Sequence, residues 1–94
     1  MAILVKLIGA FRHAAGAERL TLDYREGFTV KELIEDIAAK TSKLKRNLAD
    51  PHLKDPWRSA LILVNTIETS ALSGLETALQ DGDEVILIPV VHGG

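Results

Sequence analysis

Apolar and polar positions alternate near both ends of the chain and switch to a helical period in between. From Ala2 to Ile8 the residues favour a strand, with Ile3, Val5 and Leu7 on one face and Leu4, Lys6 and Ile8 on the other. Lys6 marks the second face as the wet one. Glu18 to Tyr24 alternates again, with Leu20, Leu22 and Tyr24 inward and Arg19, Thr21 and Asp23 outward. Gly9 to Ala17, punctuated by Gly9 and Gly16, reads as the connection. Two alternating strands around a short loop predict an antiparallel hairpin.

The helical period follows. Thr29 is a good N-cap and Glu32 stands three residues on, the spacing of a capping box. Phe28 before the cap can staple against Leu33. Val30, Leu33, Ile34, Ile37 and Ala38 form a single apolar stripe, with Lys31, Glu32, Glu35, Asp36 and Lys40 off it. This helix is expected to end near Thr41. Residues 42–58 collect Lys43, Lys45, Arg46, Lys54 and Arg58, and Asp50-Pro51 and Asp55-Pro56 break them. They read as a solvated surface connection, with Leu44 and Leu48 allowing one or two helical turns. Trp57 is expected to be partly buried against the core.

Ala60 to Asn65 is apolar almost throughout, which predicts a strand buried in mid-sheet. Residues 66–80 read as irregular chain with one short strand at Ile67-Glu68. Asp81-Gly82-Asp83 is a turn, and a last strand runs from Glu84 to Pro89 or beyond. The order is strand, strand, helix, strand, weak strand, strand. The first and last strands are strongly apolar and suit parallel pairing at the centre. The expected fold is α+β: a β-grasp, or ubiquitin-like, mixed sheet with one main helix packed across one face. Residues 1–94 are expected to form a single domain with a flexible C-terminal Gly-Gly tail.

Composition narrows the function. Net charge is −2 over 94 residues, so no basic excess exists to neutralise phosphates, and nucleic-acid binding is not expected. Cys is absent. That removes disulfides, thiolate ligands and a cysteine nucleophile, and fits a reducing cytoplasm. The N-terminus does not read as a signal peptide and no apolar run reaches the length of a membrane span, so no membrane role is expected. The histidines His13, His52 and His92 have no ligand spacing, and no metal site is expected. No catalytic constellation stands out. The chain reads as something acted on, not as an enzyme.

The candidate chemistry lies at the end. Val85-Ile86-Leu87-Ile88-Pro89-Val90-Val91 leads through His92 to Gly93-Gly94. Glycine lacks Cβ and can thread a narrow slot. A strand-anchored Gly-Gly can therefore carry its carboxylate into a partner's active site. The alternative is a frayed terminus.

These residues resemble the ubiquitin-like sulfur carriers of the MoaD, ThiS and Urm group. Leu79-Gln80-Asp81-Gly82-Asp83-Glu84-Val85 and the following strand through Pro89 to Gly94 look like the small subunit of molybdopterin synthase. Phe11-Arg12-His13-Ala14-Ala15-Gly16 and Thr29-Val30-Lys31-Glu32-Leu33 are similar to that family's first loop and helix start. There are departures. Pro89-Val90 stands where the family often has two prolines, and Asn65-Thr66 where it often has Asn-Gly. The His-Gly-Gly ending is similar to the Urm branch.

The resemblance implies a mechanism. An E1-like adenylating enzyme uses MgATP to adenylate the Gly94 carboxylate, and a persulfide sulfur replaces AMP to leave a thiocarboxylate. The carrier itself binds no cofactor. In the molybdopterin branch the tail, Gly94 with Gly93 and His92 behind it, enters the large subunit of the synthase and gives sulfur to a pterin precursor. By family position Ile8, Ile88 and Ile67 match an exposed apolar docking patch, and Arg12 helps orient a partner. The alternative is that the chain's own loops cover Ile8 and Ile88. Three other functions stay open: an Urm-like carrier for tRNA thiolation, a covalent modifier joined through Gly94 to lysines, and a non-covalent β-grasp binding module.

Overall fold

Strands β1 (Ala2–Leu7) and β5 (Glu84–Pro89) pair in parallel, with Val5 opposite Val85 and Leu7 opposite Leu87. They form the centre of the sheet in a computed structural model that describes residues 1–39 and 60–89. β2 (Arg19–Asp23) pairs antiparallel with β1, and β3 (Ala60–Val64) antiparallel with β5. β4 (Ile67–Glu68) closes the far edge, giving the order β2-β1-β5-β3-β4. The expected hairpin, the parallel centre and the short strand at Ile67-Glu68 are all present. Among the described residues no helix is long and apolar enough to cross a membrane.

The helix between the hairpin and the later strands, α2 (Val30–Ala38), covers one face of this sheet. All five residues of its apolar stripe are buried. They meet Ile3, Val5 and Leu7 of β1, Ile62 and Val64 of β3 and Val85 and Leu87 of β5 in one core. The capping box forms in both directions: the Glu32 backbone N–H donates to Thr29 Oγ1 and the Thr29 N–H to Glu32 Oε1, each at 3.3 Å. Phe28 and Leu33 are both fully buried, as the staple requires. The described helix stops at Ala38, and Thr41 lies outside the described residues, as do the expectations for Trp57 and the basic segment 42–58.

Two readings change. Residues 9–17 are more than a connection. They hold a short helix α1 (Ala10–Ala15) whose Phe11 is 1% exposed and anchors it in the core. A six-residue helix between two glycines shows too little period to be read. β3 does not lie in mid-sheet with both faces covered: it is next to the edge, Ile62 and Val64 are buried, and Leu61 and Leu63 are only half-buried. Its continuous apolar run therefore serves one core face and one open face.

The β3–β4 loop carries strain. Asn65 and Thr66 both have positive φ, 49° and 72°. Such two-residue hairpin loops favour Asn-Gly. Asn65 suits its place. Its side chain donates to Asp83 Oδ1 at 2.8 Å and accepts from the Glu84 N–H at 3.0 Å, tying the loop to the start of β5. Thr66 does not suit its place, because a β-branched residue at positive φ is a steric outlier. Thr66→Gly is expected to raise stability by about 0.5–1 kcal/mol, the relieved strain exceeding the extra freedom of the unfolded chain. Thermal denaturation followed by circular dichroism should show a melting temperature several degrees higher; a lower one would mean that Thr66 sits there without strain.

Candidate functional site

Parity sets the site. In β1, β3 and β5 the residues that do not enter the core point to the other face. These are Leu4 and Lys6 on β1, Ile86 and Ile88 on β5, and Leu61 and Leu63 on β3. The register draws them together: Ile86 lies between Lys6 and Leu63, and Ile88 opposite Leu61. Ile8 continues the parity of β1 and is 45% exposed, its backbone N–H donating to the Leu87 carbonyl at 3.1 Å. The result is an aliphatic surface across three strands. The buried faces of α1 and α2 belong to the core on the opposite side. Lys6 Nζ lies 3.5 Å from Glu84 Oε2 at one end of this surface. Both side chains are about a third exposed, so the pair contributes little stability; it places one charge of each sign beside the apolar centre.

Of the residues singled out in the sequence, Ile8 and Ile88 lie together on this face. Ile67 does not join them. It pairs with Val64, whose side chain faces the core, so Ile67 has core parity and is 48% exposed only because β4 is the edge strand. Arg12 lies exposed on α1, beside a shallow hollow lined by His13, Gly16, Ala17 and Glu18. His92, Gly93 and Gly94 lie outside the described residues. Sequence reasoning placed Leu4 on the wet face without counting it or Ile86 in the patch, and it missed Leu61 and Leu63. Parity alone puts Leu61 and Leu63 on one face of β3; that this face is open follows only from the strand order.

The last described residue of β5 is Pro89, paired with Ala60 of β3. Proline has no N–H, so the ladder lacks a donor at this last described position of β5. The open aliphatic face therefore reaches the end of β5, where Ile86 and Ile88 precede Pro89.

A second charged group lies across the molecule. Arg25 donates to Asp36 Oδ2 at 3.0 Å and to Glu32 Oε2 at 3.4 Å, and its guanidinium stands 4.0 Å from the centre of the Phe28 ring. The hydrogen bond to Asp36 is the main cause that raises the Arg25 pKa. Among the described residues no group of His, Asp and Glu is placed to hold a metal ion.

A five-stranded mixed sheet in this order, one helix across one face and an aliphatic surface on the other, is the β-grasp, ubiquitin-like arrangement. Comparison with known proteins gives the family. The ThiS family profile matches residues 5–94, and the chain belongs to that family of ubiquitin-like sulfur carriers. It is 36% identical over 69 residues to the sulfur carrier protein CysO of Mycobacterium tuberculosis, covering 72% of this chain and 74% of that one. In structure it is similar to small archaeal modifier protein 1 of Methanosarcina acetivorans, with TM-score 0.83, 31% identity and 99% and 96% of the two chains covered. It is also similar to a putative molybdopterin converting factor subunit 1 of Pyrococcus furiosus, with TM-score 0.76, 28% identity and coverage of 97% and 99%.

Proposed function

We propose that this protein carries sulfur as a thiocarboxylate on Gly94 and delivers it to a pterin precursor in molybdenum or tungsten cofactor synthesis. The observation that carries the reading is the family match through residue 94, which places Gly93-Gly94 inside the matched region. The likeness to the Pyrococcus furiosus converting-factor subunit supports the choice of acceptor.

The chemistry requires activation, because a carboxylate is a poor electrophile. One oxygen of the Gly94 carboxylate attacks the α-phosphorus of MgATP on an E1-like enzyme, and pyrophosphate leaves. A persulfide sulfur then attacks the acyl carbon and AMP leaves. A thiol cleaves the sulfur–sulfur bond of the resulting acyl persulfide, and the thiocarboxylate remains. A closed partner pocket protects the adenylate from water. The open aliphatic face docks first the activating enzyme and then the large subunit of molybdopterin synthase. The protein supplies no catalytic group; it is positioned cargo. Its lack of Cys suits a reducing cytoplasm, since the transferred sulfur rides on the terminus.

Deleting Gly94 shortens the reach by about 3.3 Å. With an E1-like enzyme and ATP, pyrophosphate release by the truncated chain is expected to fall to background. Equal release would remove this reading. The intact mass of the wild-type protein from such a reaction should show one oxygen-to-sulfur exchange, lost when a large subunit and pterin precursor are added. The likeness to an archaeal modifier favours a second reading, covalent attachment. Under that reading the exchange gives way to isopeptide bonds between Gly94 and lysines.

A further inference from the structure

Pro89 is flanked on both sides by the smallest residues. On the β3 side its partner is Ala60. On the other side, the β1–β5 register continued by two residues brings Gly9 alongside it. Gly9 has φ 59° and ψ −128°, a backbone conformation that side-chain-bearing residues rarely adopt. A Cβ built on Gly9 would lie 3.1 Å from Pro89 Cγ and 3.6 Å from Cδ. Gly9 is the one described glycine with this property: Gly16, Gly27, Gly74 and Gly82 also have positive φ, but each faces open space. Turn geometry alone therefore does not account for the close approach at Gly9.

The surroundings hold both partners still. The Ile8 N–H donates to the Leu87 carbonyl at 3.1 Å, and the Gly9 carbonyl accepts from the Arg12 and His13 N–H groups at 3.1 and 3.3 Å. Phe11, two residues after Gly9, is fixed in the core. The proline ring thus lies beside the Gly9 backbone, with Ala60 as its partner on the neighbouring strand.

We infer that Gly9, with Ala60, forms a seat for the Pro89 ring that sets the direction in which the C-terminal tail leaves the sheet, and that Gly9 is a positioning residue for delivery of Gly94. The seat rests on described residues; its use in delivery rests on the carrier reading above. The seat acts without touching the reacting carboxylate. A tail launched in one direction from beside the docking face spends less of its time outside a partner's slot, and misplacement by an ångström at the reacting end is costly. Gly9→Ala tilts the ring away from its seat and redirects the tail.

The test uses the absence of native Cys, which makes introduced thiols unique. Nitroxide labels at His92→Cys and at Lys31→Cys on the exposed side of α2 report the tail-to-helix distance distribution by pulsed electron resonance. The same labels are read in Gly9→Ala and in Gly16→Ala. Gly16 is the control because it caps the other end of α1 with φ 70° and meets nothing within 4 Å. The expected result is the same distance distribution in the parent and in Gly16→Ala, and a displaced or broadened one in Gly9→Ala. Indistinguishable distributions in all three would overturn the seat. This arm needs no partner enzyme, so it stands even if the carrier reading fails.

The second arm measures pyrophosphate release by the E1-like enzyme without labels. Gly9→Ala should lower kcat by about tenfold and leave the KM for the carrier unchanged, because the docking face is intact. A redirected tail with unchanged kcat would overturn the delivery role, and so would a loss lying wholly in KM. A parent protein that is not adenylated at all would remove the carrier reading and the delivery role with it, while the label arm still decides the seat.

Discussion

Phe28→Ala should cost more stability than any change on the open face: about 3–5 kcal/mol, the usual range for removing a buried phenyl ring. Phe28 is fully buried in the core. Its carbonyl accepts from the Leu79 N–H at 2.8 Å, the Val30 N–H donates to the Thr77 carbonyl at 3.0 Å, and Leu79 is itself buried. The ring fills the corner where the chain enters α2 beside the segment that leads into β5. Truncation leaves those backbone bonds in place and opens a void beneath them. Against a typical total of about 5–15 kcal/mol the loss is large. The melting temperature should fall by more than about 12 °C. Arg25→Ala separates the ring from the cation above it. That guanidinium is in solvent, so its removal should shift the melt only slightly. A large shift from Arg25→Ala, with a small one from Phe28→Ala, would place the stabilisation in the charged cluster and not in the core.

The sequence made these core positions legible because each rests on one local rule. The stripe of α2 follows the helical period, and its start is marked by Thr29 and Glu32. The Gly82 turn and the parity of β1 and β5 are equally local. What was not legible depends on neighbours distant in sequence. Leu61 and Leu63 look like core in an apolar run, and only the strand order reveals that their face is open. Ile67 looks like an exposed aliphatic on the docking patch. Its pairing with Val64 across a two-residue loop assigns it the other parity. Gly9 reads as loop punctuation, and its approach to Pro89 exists only once β1 and β5 are side by side. Periodicity reports which residues share a face of an element. It does not report which face of the sheet the rest of the chain will cover.

Ile88→Asp is expected to weaken docking of the activating enzyme by at least about 30-fold, the effect of losing one well-buried interface residue. Ile88 stands opposite Leu61 and next to Ile86 along β5, so a partner covering the sheet buries it near the centre of the aliphatic surface. An aspartate there would be desolvated without a partner charge. In the free protein position 88 is half-buried on the face opposite the core, so the melt should move less than for a core position such as Leu87. Ile8→Asp should behave alike, more weakly, because Ile8 lies at the margin and is nearly half exposed already. Ile67→Asp is the decisive comparison. Exposure alone ranks it with Ile8, whereas the register places it at the sheet edge with core parity. Its KM in the pyrophosphate-release assay should match that of the parent. An equal loss at Ile67 and Ile88 would mean that the partner wraps around β4. A melt that collapses in Ile88→Asp would mean that this face is covered in the free protein. Loss at Ile88 and Ile8 without loss at Ile67 confines docking to the face that β1, β3 and β5 share, beside the end of β5 from which the tail departs.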